Sequence, residues 1–158
     1  MTHFGSAIDR ELLGEIWNFA LRLTATPQVA EQLVSKSYFT ASVDGKLARP
    51  KETLRVKLLS IALATWLEEC RALQRCSLEE GISMKFGAER NRYLPDGVNQ
   101  LPHDERVALI LTQAHHLSLE EAALVMGVNT DVLCTWLMRA CACANRLASS
   151  QTQSIWSK

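Results

Sequence analysis

Five side chains that could hold a metal lie within one stretch: His115, His116, Cys134, Cys141 and Cys143. Imidazole and thiolate are the ordinary zinc ligands, but compact sites pair them at short, fixed spacings. No such pairing is present, and Cys141 and Cys143 leave a helix on different faces. The simpler expectation is thiols packed in or beside a core, with no metal. Catalytic groupings are equally scarce. No Ser-His-Asp, Cys-His or paired-carboxylate arrangement stands out, and no Gly-rich loop could cradle a phosphate. Glu68, Glu69, Glu79, Glu80, Glu120 and Glu121 read as solvated faces and caps. The expectation is a non-enzyme without a cofactor.

The informative stretch is SLEEAALVMGVNTDVLCTWL, Ser118 to Leu137. Ser118 and Glu121 form an S-x-x-E capping box, which starts a helix. Gly127 stands where a positive φ would end it. Asn129, Thr130 and Asp131 then supply a cap and a first-turn acid for a second helix. Leu133, Leu137 and Ala140 recur at i, i+4 and i+7 on its buried side. Ala123, four residues before the glycine, leaves room for a helix-turn-helix. The second helix of such a motif is the one that enters a DNA major groove. Its outward positions include Asp131, Val132, Cys134, Thr135, Trp136 and Arg139, and up to Leu147 its only cations are Arg139 and Arg146. Lys and Arg contacts to phosphate dominate DNA affinity, so this surface is poor in what a DNA reader needs. Trp136 reads as an anchor for a protein partner, with core burial and a DNA wedge as alternatives. Trp17 and Trp66 read as ordinary core.

The whole chain repeats the theme. Its 158 residues carry 17 Lys and Arg against 17 Asp and Glu, a formal net charge of zero. Residues 1–75 hold ten cations against eight acids, 76–130 four against eight, and 131–158 three against one. No segment has the strongly basic balance typical of a nucleic-acid binder. The opening MTHFGSAIDRELL has acids and no long apolar core, so no export signal is expected. No apolar run reaches the roughly 18–20 residues of a membrane span. The odd cysteine count, five, fits reduced thiols in the cytoplasm.

The elements that would position these residues are helical. Ile8 to Leu23 carries a stripe at Ile8, Leu12, Ile16, Phe19, Ala20 and Leu23. A break at TATP follows, with Thr26 as cap and Pro27 in the first turn of a helix reaching about Ser42. Val29, Leu33, Tyr38 and Phe39 are its candidate core. Ser42 to Pro50 reads as a loop. A long helix runs from Lys51 to about Gln74, with Leu54, Leu58, Ile61, Ala62, Thr65, Trp66 and Cys70 inward. Leu101-Pro102 opens a helix to about His115. The expected architecture is all-α: domains at 5–75 and 101–148, a linker at 76–100 and a frayed tail at 149–158.

Several runs resemble the two-domain bacterial sigma factors of the extracytoplasmic-function (ECF) group, in the sigma-70 family. NFALRLTATPQVAEQLVSKSYFTA is similar to the family's A-L-R-L-T-G-…-A-E-D-L-V-Q-E-T-F. LRVKLLSIALATWLEECRALQR is similar to its L-x-x-I-A-R-N-x-x-x-D-x-x-R-R, and LPHDERVALIL to L-P-x-x-x-R-x-x-x-L. SLEEAALVMGV and WLMRA then resemble S-Y-E-E-I-A-…-L-G-…-R-L-x-R-A. The order and spacing match across both domains. The resemblance implies a region-2-like bundle that binds the polymerase clamp and melts promoter DNA. It also implies a region-4-like helix-turn-helix that holds the polymerase flap and reads a distant element.

Departures fall on the implied contacts. On the clamp-facing helix, Glu31 is kept, but Gln32, Ser35 and Lys36 stand where the family carries acids or their neighbours. On the promoter-facing helix, Ser60, Leu63 and Ala64 replace Arg, Arg and Asn, while Arg71 is kept. In the recognition helix the family's K-S-R becomes Cys134, Thr135 and Trp136. Three readings follow. The chain is an ECF-like sigma factor that contacts core RNA polymerase and promoter DNA, the DNA contact weakened. Alternatively it is a sigma mimic that binds an anti-sigma factor or polymerase without reading DNA. Or it is a helical interaction adaptor. Exposed apolar side chains such as Leu63, Leu124 and Trp136 would also permit self-association into a homo-oligomer.

Overall fold

The computed structural model describes the backbone of residues 10–43, 51–80 and 91–156, and the side chains of 10–43, 54–76 and 91–146. Every regular element among them is helical. The chain divides into two compact units, Met1–Asn91 and Arg92–Lys158.

Three helices build the first unit: α1 (Arg10–Thr24), α2 (Pro27–Val43) and α3 (Lys51–Glu80). On α1, Leu12, Ile16, Phe19 and Ala20 of the expected stripe are buried and Leu23 is half-buried; Ile8 lies outside the described residues. Burying side chains of this size stabilises by roughly 1.5–3 kcal/mol each. The α1–α2 turn is made by Ala25, whose φ is 64° and whose amide donates to the Leu21 carbonyl at 3.0 Å. Thr24 Oγ1 donates to the Ala20 carbonyl at 2.8 Å, whereas Thr26 Oγ1 is buried without a hydrogen-bond partner. The expected Thr26 side-chain cap is therefore not made; its backbone carbonyl accepts from the Ala30 amide instead.

The inward face of α2 is Ala30, Leu33, Ser37 and Ala41. Tyr38 and Phe39, expected in the core, are 41% and 69% exposed. Small residues at 30, 37 and 41 let α2 lie close to its neighbours, and this turns the adjacent aromatics outward. Ser37 Oγ satisfies its buried hydroxyl by donating to the Leu33 carbonyl at 2.7 Å. On α3 the buried residues are Leu54, Leu58, Leu59, Ala62 and Leu63; Thr65, Trp66 and Cys70 are half-buried. Trp17 and Trp66 pack against a cluster of Ala20, Ala30 and Leu33 without being fully enclosed. Arg55 and Glu15 tie α3 to α1 through a two-pronged ion pair, with Nε to both carboxylate oxygens at 2.8 and 2.9 Å.

In the stretch expected as linker, α3 continues to Glu80, and Arg92–Gln100 belongs to the second unit. That unit holds α4 (Asp96–Asn99), α5 (His103–Leu109), a π-helical turn (Ile110–Ala114), α6 (Leu119–Met126) and α7 (Thr130–Trp156). Arg106 orders the approach to α5: its Nη2 donates to the carbonyls of Asn99 at 2.8 Å and Leu101 at 3.1 Å. Burial lowers the Arg106 pKa. The helix expected to run evenly to His115 instead widens after Leu109. The His115 amide reaches the Ile110 carbonyl at 3.2 Å, an i→i+5 bond. His116 then turns the chain with φ 53°. At the other end, α7 extends through Trp156, past the expected fraying point at Leu147.

Candidate partner and nucleic-acid surfaces

The helix pair predicted from Ser118 onward forms by the local rules that predict it. The Glu121 amide donates to Ser118 Oγ at 3.2 Å, and the Ser118 amide donates to Glu121 Oε2 at 3.0 Å. Gly127 takes φ 67°, where any Cβ would be strained. The Val128 amide closes the helix end on the Ala123 carbonyl at 3.1 Å. The Val132 amide donates to Asn129 Oδ1 at 2.9 Å, so Asn129 is the cap of α7. Ala122, Ala123 and Val125 of α6 are buried, as are Leu133 and Ala140 of α7; Leu137 is half-buried.

This packing fixes which side of α7 is free. Asp131, Val132, Thr135, Met138 and Arg139 are exposed, Met138 at 67%. Cys134 is half-buried, and so is Trp136, which flanks the core stripe instead of crowning the outer face. The outer face over these first turns therefore carries one acid, one cation and a thioether. Sequence reasoning passed over Met138; its phase opposite Leu133 and Ala140 was the available signal. On α6, Leu124 is 69% exposed.

In the first unit the residues named for the clamp, Glu31, Gln32, Ser35 and Lys36, are all exposed on α2. Lys36 forms an ion pair with Glu69 of α3. The pair spans an open groove of about 880 Å³ that Thr65, Glu68, Arg71 and Arg75 also line. Among the described residues, Arg71 and Arg75, one turn apart and exposed, have no ion-pair partner. Of the named promoter-facing set, Arg71 and Ala64 are exposed and Ser60 is half-buried. Leu63 is not on that surface: it is 3% exposed, one turn from buried Leu59, and belongs to the core. It also drops out of the apolar surface offered for self-association.

The five thiols are free. Cys76 and Cys141 are exposed; Cys70, Cys134 and Cys143 are half-buried. Burial, aided by the charge of Glu69, pushes the Cys70 pKa up. Among the described residues no group of three or more His, Cys, Asp or Glu gathers as a metal site, so the His–Cys set is not brought together. His115 is buried and His116 exposed. No helix among the described residues is long and apolar enough to cross a membrane.

Two helical units, the second closing on a capped helix, a three-residue turn and a long helix, define an all-α, sigma-factor-like fold. No family model and no curated protein matches the sequence. Among solved structures, the chain is similar to the sigma factor RpoE of Bartonella quintana, seen in complex with the anti-sigma factor NepR. The likeness has a TM-score of 0.73 at 23% identity and covers 88% of this chain and 92% of that one. At that identity the likeness is one of fold.

Proposed function

We propose that this chain is a sigma-factor-related regulator of transcription initiation that acts by binding an anti-sigma factor or core RNA polymerase, without reading a promoter through α7. The fold supports a transcription role. The observation that carries the finer reading is the outer face of α7, where Met138 is 67% exposed and Arg139 is the one cation before Arg146. Phosphate neutralisation supplies most DNA affinity, and each lost phosphate contact takes about one unit from the salt slope. An apolar, weakly charged face suits a protein partner. By analogy with the NepR complex, an anti-sigma factor is a natural occupant. Core polymerase is the other.

Promoter reading is the second possibility, and Arg71 and Arg75, exposed one turn apart on α3, favour it. Reconstitution separates the two. Purified chain, core polymerase and an anti-sigma factor from the same host are mixed pairwise, and transcription is run from a promoter library. Complex formation without stimulated transcripts is the expected result. Stimulated transcription from a defined promoter subset overturns the main reading in favour of the second. Association with neither protein removes both and leaves the helical adaptor.

A further inference from the structure

We propose that α7 pairs antiparallel with α7 of a second copy of this chain, through a seam of Cys134, Met138, Cys141 and Asn145. These four stand at i, i+4, i+7 and i+11, the alternating four-three spacing of a coiled-coil stripe. On a helix they share an arc of about 60°. The unit itself does not use this stripe. Leu133 and Ala140 face the core, whereas Cys134 is half-buried and Met138, Cys141 and Asn145 are exposed.

α7 outruns what the unit can cover. It has 27 residues, whereas α6 has 8 and α5 has 7. Ala140 is its last buried side chain among the described residues; Cys141, Ala142, Ala144, Asn145 and Arg146 are exposed. A helix with so little packed on it is marginal in water, and most helical stability comes from a covered face. The stripe suits such a cover. Methionine and cysteine are soft and fit irregular contacts. Thr135 and Ala142, exposed beside the stripe, are small enough to let a second helix come close.

Charge chooses the occupant and its direction. Asp131 stands near one end of the stripe and Arg146 near the other, both on the side of Thr135 and Ala142. Both are exposed, and neither has an ion-pair partner among the described residues. A second α7 laid antiparallel brings its Arg146 to Asp131 of the first, and the two-fold axis repeats the pair at the other end. Parallel pairing would set acid on acid and cation on cation. Exposed pairs of this kind select partner and orientation more than they add affinity. In the antiparallel register Met138 lies level with Cys141 of the second copy, and Cys134 with its Asn145. Arg139, about 100° round from Met138, stays in solvent. Such a dimer hides Met138, so a partner that uses the outer face of α7 has to displace the second copy. The inference goes beyond the transcription reading and is tested with neither polymerase nor anti-sigma factor present, so either can fail alone.

The test uses the full chain, its thiols kept reduced, in analytical ultracentrifugation across the micromolar range. A monomer–dimer equilibrium is expected. Met138→Glu should weaken the dimer by about tenfold while circular dichroism stays that of wild type. Asp131→Arg alone and Arg146→Asp alone should each weaken it, since each sets like charges together at both ends. The double variant Asp131→Arg with Arg146→Asp should return the dimer to wild-type strength. Neither a folding defect nor a parallel dimer imitates that pattern of loss and rescue. A chain that stays monomeric at every concentration overturns the proposal. So does a dimer indifferent to Met138→Glu, or one that the charge exchange fails to restore.

Discussion

Asn91 Nδ2 donates to the Arg22 carbonyl at 2.7 Å and to the Leu21 carbonyl at 3.2 Å, closing the C-terminal end of α1 from far along the chain. Asn91 is 4% exposed, so these bonds are made away from water. Asn91→Ala should cost about 1–3 kcal/mol, the range for leaving buried partners unsatisfied. Asn91→Asp should cost at least as much, because a carboxylate would face two carbonyl oxygens. Urea unfolding followed by circular dichroism measures both.

Ala25 occupies the left-handed region, and the sigma family pattern has glycine at this position. A non-glycine residue there carries about 1–2 kcal/mol of strain, partly offset by the greater unfolded-state freedom of glycine. Ala25→Gly should therefore raise stability by about 0.5–1 kcal/mol and melting by roughly 1–4 °C. A drop in melting temperature would contradict the assignment.

Thiol reactivity should follow exposure. Cys76 and Cys141 should be alkylated first by iodoacetamide near pH 8, and Cys70 last, since burial and Glu69 both disfavour its thiolate. Peptide mass spectrometry over a time course gives the order.

Acid should act through His103. Its side chain is 43% exposed, and the partial burial of the rest lowers its pKa below the ordinary 6.5, with Asp104 opposing, so the unfolded chain takes the proton first on acidification. The contribution to stability is full above about pH 6.5 and is lost as pH falls through the folded value. His103→Gln should reduce the loss of melting temperature between pH 7.5 and 5.5. An unchanged loss would place the pH response elsewhere.

Restoring cations to α7 should restore phosphate affinity. Thr135→Lys with Met138→Arg alters two exposed positions and should leave the fold intact. Non-specific duplex binding should rise, with the slope of log affinity against log salt steeper by up to about two units. No change would mean that this face is covered in solution.

Local chemistry was the most legible part of the sequence. Ser118, Glu121, Gly127 and Asn129 act within a few residues of themselves, so type and spacing suffice to place them. Packing was less so. Tyr38 and Phe39 are the bulkiest apolar residues of α2, yet the core takes Ser37 and Ala41, because helix proximity favours small side chains there. Leu63 was assigned outward by analogy with a polar family position, although its phase with Leu59 places it inside. The helix ends past Gln74 and Leu147 read as loop because their polar composition carries no apolar stripe. Asn91 gave no signal, since its partners lie 69 and 70 positions away.

The π-helical turn at Ile110–Ala114 has a consequence for the path of the chain. A wide turn of this kind takes up one residue more than an α-helix of the same height, and here it is the last turn before His116 redirects the chain. Val107 and Ala108 before it, and Leu117 after it, are all buried. Gln113 is exposed. Beyond it the helix ends, and the Leu117 amide donates back to the Leu111 carbonyl at 3.1 Å. The widened turn thus sets where the chain leaves the helix, and with it the reach of Leu117 back to the interior.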